Sequence, residues 1–417
     1  MPSFQTSPGT RDILPPEAGR WRNFVGVFAE VVEAAGYDHV IAPMFEDIGV
    51  FMRVGEATEI VTKEMYDFED KGGRHIALRP EQTASVCRAF VEHRPTTPWK
   101  VWYAGPNFRY EKPQLGRYRQ FDQVGIEVLG VLDAQLDVEV ISLAHDFYRR
   151  LGLQGVRLAI NSLGDDGDRD RYVAALREHF AARIAELSDE TKTTLERNPL
   201  RVLDSKRAQD APAIAAAPSM RDFLGTDASA HFAAVQDGLR RAEIDFVVDD
   251  RLVRGLDYYR RTTFEFTARG LDAAHTAIGG GGRYDGLVEQ LGGPSTPGIG
   301  FALGLDRTLL ACDAENVFAP RTSRVDAFVV DTVGGEHAAA ICAELRARGV
   351  RVDRAWDGRS MKAQMKSADR SGARIVVIIG ANEATANTAI LRTMDDGSQR
   401  PVARQAVCDE VRAALGH

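Results

Sequence analysis

The sequence predicts an α+β protein: a large N-terminal region of mixed strands and helices, a helical insertion within it, and a small α/β domain at the C-terminus. Three observations carry this reading. Strand and helix periods follow one another irregularly up to about residue 160. From about Asp165 to Ala242 the texture changes to alanine, arginine and glutamate at helical spacing, including the loose stretch Ala211 to Pro218. Beyond Pro320 strand and helix alternate regularly, as parallel strands joined by helices require. A chain of 417 residues, 44% of them hydrophobic, can bury a large core and divide into two or three domains.

The first element is a helix on which Trp21, Phe24, Val25, Phe28, Val31, Val32 and Ala35 recur at helical spacing, and Gly36 ends it. So wide an apolar face must pack on its own sheet or on another subunit. Tyr37 to Ala42 reads as a strand stopped by Pro43, and His75 to Arg79 as a strand leading into a helix near Thr83. Val101 to Tyr103 and Phe121 to Leu129 read as two strands flanking a charged loop. Leu136, Val140, Leu143, Ala144, Phe147 and Leu151 mark a second amphipathic helix closed by Gly152. Strand signals return from Phe246 to Phe266. The C-terminal pattern is a strand over Val325 to Val330, a helix to Arg348, a strand over Val350 to Trp356, a helix, and a strand over Ile375 to Ile379.

Composition excludes several classes. A net charge of −8 gives no global basic field, which argues against DNA binding but leaves RNA binding through local basic patches open. Cys87, Cys312, Cys342 and Cys408 are scattered, with no Cys-x-x-Cys pair, and the nine histidines show no metal-ligand spacing. A structural metal is therefore not expected, and a reduced, cytoplasmic setting is. No apolar run approaches a membrane span, and the N-terminus lacks a signal-peptide core.

Four stretches carry the chemistry. Arg254-Gly-Leu-Asp-Tyr-Tyr259 sets a permanent cation with a planar fork of donors, suited to phosphate, beside two phenols that can read a small polar ring. Arg109 and Glu111 stand two apart at the expected end of a strand, so both are expected on one face, with Leu115-Gly-Arg-Tyr-Arg119 at the tip of the loop beyond. Phe121, Gln123, Gly125 and Glu127 alternate onto one face of the next strand, poor core material that suits either a pocket wall or a solvated sheet face. Ile278-Gly-Gly-Gly-Gly-Arg-Tyr-Asp-Gly286 lacks the Gly-Lys-Ser/Thr of a phosphate loop; it fits either a turn or a backbone that a ligand approaches closely. Gly298 to Arg307 adds a small-residue strand with Arg307 just inside a helix.

Together these residues resemble the class II aminoacyl-tRNA synthetases and, within them, the histidyl-tRNA synthetases. The helix and strand ending at Pro43 resemble the first class motif, Gly105 to Glu127 the second, and Gly298 to Arg307 the third; Arg254 to Tyr259 and Gly279 to Asp285 resemble the two histidine signatures. The resemblance spans roughly residues 8–160 and 246–417. It implies an antiparallel sheet flanked by helices in a catalytic domain over 1–320, with an insertion at about 165–245. It also implies an anticodon-binding α/β domain over 325–417. The implied substrates are L-histidine, ATP with Mg²⁺, and the histidine tRNA, and the implied assembly is a homodimer, without membrane or DNA partners.

By the same resemblance Arg109, Arg254 and Arg307 are the catalytic residues. Arg109 and Arg254 hold the α-phosphate from opposite sides and Arg307 covers the nucleotide. Glu111 and Phe121 hold the adenine, and Arg117 meets the outer phosphates or the tRNA end. Glu81, Thr83 and Gln123 hold the histidine α-amino group, with Gln82, Arg109 and Arg254 also among the histidine-binding residues; Glu127 and Tyr259 take the imidazole nitrogens, with Tyr258 beside them. Two departures stand out. Gln82 occupies a position where the family commonly has glycine, so a positive φ there would be strained, and Arg260 replaces a usual asparagine. The rival readings are a histidine-sensing regulatory subunit of ATP phosphoribosyltransferase, which lacks catalytic residues and the C-terminal domain, and a class II synthetase for another amino acid.

Overall fold

The computed structural model describes residues 4–55, 60–252, 258–271, 276–321 and 323–416. Two compact units divide the chain, Met1–Ala319 and Pro320–His417.

The first unit opens with α1 (Glu17–Glu33), closed by Gly36 at φ 81°. There follow β1 (Asp38–His39), β2 (Phe45–Asp47), α2 (Ile48–Gly55), β3 (Tyr66–Glu69), β4 (His75–Leu78), α3 (Thr83–His93), β5 (Trp99–Phe108), β6 (Gln120–Leu129), α4 (Ala134–Arg150) and β7 (Val156–Ser162). The helical stretch holds α5 (Asp166–Ala182), α6 (Asp189–Arg197), α7 (Ala211–Ala215) and α8 (Thr226–Arg241). Then come β8 (Phe246–Val248), β9 (Arg260–Ala268), β10 (Ala277–Arg283), α9 (Leu287–Gln290), β11 (Gly298–Gly304) and α10 (Leu305–Ala314).

Eight of these strands form one sheet in the order β1-β5-β6-β11-β10-β9-β7-β8. It is antiparallel except for its two edges, where β1 joins β5 and β8 joins β7 in parallel. A smaller antiparallel sheet, β2-β4-β3, stands apart. One face of the large sheet is the core. Val124, Ile126 and Val128 of β6 and Ile299, Phe301 and Leu303 of β11 meet Phe24 and Phe28 of α1, Val140 and Phe147 of α4, and Leu309 of α10. Phe28 and Phe147 meet edge to face at 5.2 Å. The period of two then forces Gln123, Gly125 and Glu127 onto the opposite face.

The helical stretch is two bodies. Tyr172, Leu176, Phe180, Leu195 and Val202 build a core of their own. Phe232, Val235 and Leu239 of α8 belong instead to the main core.

The second unit holds β12 (Ala327–Asp331), α11 (Glu336–Ala347), β13 (Val352–Arg354), α12 (Met361–Ser371), β14 (Ile375–Ile379), α13 (Ala381–Ala386), β15 (Thr388–Thr393), β16 (Gln399–Ala403) and α14 (Val407–Leu415). Its sheet runs β13-β12-β14-β15-β16. The first three strands are parallel, as the alternation predicts, while the last two return antiparallel.

Three local expectations change. The strand expected over Tyr37 to Ala42 contracts to Asp38–His39, because only a short parallel pairing with Val101 and Trp102 is made there. The four glycines are no turn: they lie inside β10, paired on one side with β9 and on the other with β11. Gln82 sits at φ −111°, an ordinary backbone for any residue, so glutamine there is unstrained.

Candidate active site

A cavity of about 380 Å³ opens on the polar face of the large sheet. Its wall gathers Arg109, Glu111, Arg117, Phe121, Gln123, Tyr259 and Arg307, with Tyr118, Asp122, Glu265, Ala302 and Asp306 among the residues beside them. The sheet builds this wall by its register. Gln123 lies opposite Gly304, Gly125 opposite Ala302 and Glu127 opposite Gly300, so one side of the β6–β11 ladder carries functional groups and the other almost none. Ala302 and Gly304 border the cavity, whereas the space over Gly125 is filled by the Tyr103 ring and that over Gly300 by the Glu127 carboxylate.

Arg109 and Glu111 both reach the cavity, but not from the strand: β5 ends at Phe108. Beyond it Arg109 N–H donates to the Arg119 carbonyl at 2.9 Å and Glu111 N–H to the Arg109 carbonyl at 2.8 Å, a turn that brings both side chains back. Arg109 Nε donates to the Pro80 carbonyl at 3.0 Å, and its guanidinium lies 5.2 Å from the Phe121 ring centre. Glu111 is ion-paired with Arg117 across the loop. Arg307, on the first turn of α10, donates to the carbonyls of Gly116 and Ala277, each at 3.1 Å.

The charges are arranged for an anion. Burial, and then repulsion from Arg117 and Arg109, lowers the Arg307 pKa; burial does the same to Arg109. Among the described residues neither Arg109 nor Arg307 has a carboxylate within ion-pair distance. Burial and the nearby Asp306 push Asp122 up to about 6. A polyphosphate would relieve the repulsion among the arginines.

Beneath the cavity lies a buried cluster holding other candidates: Glu81, Gln82, Thr83, Glu127 and Tyr258 are all buried. Glu127 is fully enclosed and accepts from three hydroxyls, Tyr284 at 2.5 Å, Thr83 at 2.7 Å and Tyr103 at 3.2 Å. Burial raises its pKa to about 8 despite those donors. Arg119, the nearest candidate for an ion pair with it in the sequence, instead stacks 3.8 Å from the Tyr110 ring centre. Glu81 accepts from the backbone N–H of Thr83 at 2.6 Å and Ala84 at 3.0 Å, fixing the start of α3. Gln123 accepts from Asn107 at 2.8 Å. Tyr258 and Tyr259 have ring centres 4.7 Å apart and line the boundary between cavity and cluster.

Arg254 lies outside the described residues. Arg260 does not add a bare charge: it is ion-paired with Asp166 at the start of α5 and donates to the Tyr259 carbonyl at 3.1 Å. Sequence reasoning did not assign Tyr284, Tyr103, Tyr118 or Asp306. Tyr284 stands inside the second histidine signature, the one available signal for it.

The comparisons agree with one another. A family model described as histidyl-tRNA synthetase matches residues 9–308, and one described as an anticodon binding domain matches residues 327–414. A histidine–tRNA ligase of Geobacillus thermodenitrificans is 48% identical over 411 residues, covering 96% of each chain. One from Nocardia farcinica is 47% identical over 420 residues, 99% of each. The crystal structure of the apo S. aureus histidyl-tRNA synthetase superposes with a TM-score of 0.83 at 35% identity, covering 98% of this chain and 100% of that one.

Proposed function

The chain belongs to the histidyl-tRNA synthetase family, and from that premise we propose how its residues divide the work. Its activity is the ligation of histidine to tRNA. ATP activates L-histidine as histidyl-adenylate with loss of diphosphate, and the histidyl group passes to tRNA with loss of AMP. The regulatory-subunit reading is less well supported, since relatives matched over nearly the whole chain are ligases.

We assign the cavity to the nucleotide. Arg109 and Arg254 take the α-phosphate from opposite sides, Phe121 and Glu111 the adenine, Arg307 the outer face, and Arg117 the outer phosphates or the tRNA end. Attack of the histidine carboxylate builds negative charge on a five-coordinate phosphorus, and cations already in place stabilise that state more than the ground state. The cluster below receives the amino acid. Glu81, Gln82, Thr83 and Gln123 surround the α-amino group, Glu127 accepts from one imidazole N–H, and Tyr259 addresses the other nitrogen with Tyr258 alongside. The observation that carries this reading is the convergence of Arg109, Arg117 and Arg307 with Phe121 on one cavity above a buried carboxylate.

Mg²⁺ fits this wall in a limited way. Asp122 and Glu265 supply oxygens, Asp306 is held by Arg11, and among the described residues no group of three or more His, Cys, Asp or Glu comes together. Such a site suits an ion that arrives on the phosphates and shares their charge. Further assignments follow from the family: a catalytic domain over 1–320, an anticodon-binding domain over 325–417, a cytoplasmic setting and a homodimer. Free thiols at all four cysteines support the setting. No helix among the described residues is long and apolar enough to cross a membrane. Ile41, Met44 and Phe45, exposed where the chain leaves the edge strand β1, support the dimer.

Pyrophosphate exchange with each amino acid in turn tests the reading. Exchange is expected with histidine alone, and Arg109→Ala or Arg254→Ala should lower its kcat by about 10²–10³. A variant with near-normal kcat would remove that arginine from the mechanism.

A further inference from the structure

The N-terminal segment before α1 does more than lead into the fold. The Gly9 carbonyl accepts from the backbone N–H of Arg119 at 2.8 Å and of Gln120 at 3.4 Å, where the charged loop rejoins β6. Gly9 itself is at φ 80°, and a Cβ there would stand 2.6 Å from Arg119 Cγ. Two residues on, Arg11 donates to Tyr118 Oη at 2.5 Å, lies 4.1 Å from that ring's centre, and is ion-paired with Asp306. Tyr118 belongs to the loop that carries Glu111 and Arg117. Asp306 precedes Arg307 on α10, and both Tyr118 and Asp306 face the nucleotide cavity. Arg11 therefore joins the loop to the helix from outside the cavity, alongside the direct link from Arg307 to the Gly116 carbonyl.

We propose that Arg11 is a positioning residue for ATP: it fixes the loop against α10, so that Arg117 and Arg307 address one polyphosphate, and it neutralises Asp306, an anion in the wall of a site for anions. This rests on assigning the cavity to the nucleotide. The geometry separates two consequences. Loss of Arg11 frees the loop and leaves an uncompensated carboxylate facing the phosphates, which weakens ATP binding. Among the described residues the buried cluster around Glu127 shares no hydrogen bond or ion pair with Arg11, and it should keep its affinity for histidine.

Histidine-dependent pyrophosphate exchange, with ATP and histidine varied separately, reads the split. Arg11→Ala should raise KM for ATP about tenfold, the size of one hydrogen bond to a charged group, and move KM for histidine by less than about twofold. Tyr118→Phe, which removes only a hydroxyl, should shift KM for ATP in the same direction by less. The double variant should be no worse than Arg11→Ala, because both act through one bridge. An unchanged KM for ATP, equal rises for both substrates, or additive effects would overturn the proposal. Should Arg11→Ala not fold, the same split measured on Tyr118→Phe decides. Arg307→Ala separates the levels: if it raises KM for ATP while Arg11→Ala does not, only the strap fails; if it does not, the nucleotide assignment fails with it.

Discussion

Glu127 concentrates what a residue's sequence neighbourhood shows and what it hides. Alternation along Phe121 to Glu127 was enough to place its carboxylate on the polar face of the sheet, and the core residues Val124, Ile126 and Val128 confirm that period. The three hydroxyls that enclose it come from α3, β5 and the residue after β10, far apart in sequence, and no local pattern shows that they converge. If Glu127 and Tyr259 take the imidazole as proposed, a substrate without ring nitrogens would forgo the hydrogen bonds that histidine makes there, a penalty that discriminates more strongly than shape. Measured above about pH 8, where the Glu127 carboxylate is ionised, Glu127→Gln should lower kcat/KM for histidine about ten- to two-hundredfold, the loss of one charge-assisted hydrogen bond, while KM for ATP moves much less. Damage to ATP binding instead would detach Glu127 from the imidazole. Stability gives a second, ligand-free check. The folded pKa of about 8 lies above the usual carboxyl value of 4.5, so the native state holds the extra proton between them, and stability is lost as pH rises through that window. Glutamine cannot ionise. The melting temperature of Glu127→Gln relative to the parent should rise from about pH 5 to about pH 8 and level off above that. A pH-independent difference would mean that the carboxyl ionises as freely folded as unfolded.

At the scale of elements, the small-residue strand from Gly298 was legible, and the strand of four consecutive glycines was not. Gly279 to Gly282 reads locally as a turn, because glycine weakens a strand and packs nothing. In place, the absence of side chains is what lets β9, β10 and β11 meet: a Cβ on Gly281 would stand 2.0 Å from the Gly300 carbonyl oxygen. β11 applies the same device to the site, since a Cβ on Gly300 would stand 1.9 Å from Glu127 Oε2. Two distinct outcomes are expected. Gly281→Ala collides with backbone that cannot move and should cost several kcal/mol, about 3 or more, seen as a large fall in melting temperature or in soluble yield. Gly300→Ala collides with a side chain and a carbonyl of β6, so part of its effect should appear as a raised KM for histidine in whatever protein folds. Equal, mild effects of both on stability, with KM unchanged, would show that the glycines are dispensable filler. The helical stretch gives the complementary lesson. Its composition marked helices correctly, but composition carries no information on which core a helix joins, and α8 joins the main one.

For the whole molecule, the question is whether the two units carry separable tasks. Each has a core of its own; Val329, Ile341, Val377 and Val411 belong to that of the second. The regular alternation after Pro320 made the second unit legible, because parallel strands and their helices are specified by short local patterns, whereas the antiparallel return through β15 and β16 leaves no comparable mark. An anticodon-binding unit in a chain of net charge −8 must hold RNA by local charge. Several of its basic residues are already engaged: Arg351 with Asp326, Arg359 with Asp357, and Arg354 against the Trp356 ring, its guanidinium 4.2 Å from the ring centre. Paired arginines bind phosphate less strongly than bare ones, so the unit should contribute affinity without dominating it, and the contribution should fall with added salt. Removal of Pro320 to His417 should accordingly spare histidine-dependent pyrophosphate exchange, which needs only the cavity and cluster of the first unit. It should raise KM for tRNA in the charging reaction, by more at about 50 mM salt than at about 200 mM, where the lost electrostatic contacts are already weakened. A sizing column run beside the assay distinguishes loss of tRNA contacts from loss of a dimer, since exchange would fall with the dimer if the active site depends on it. Equal charging by truncated and intact protein at limiting tRNA would mean that the second unit does not grip tRNA. Exchange lost in a truncated protein that keeps the native size would mean that activation itself requires the second unit.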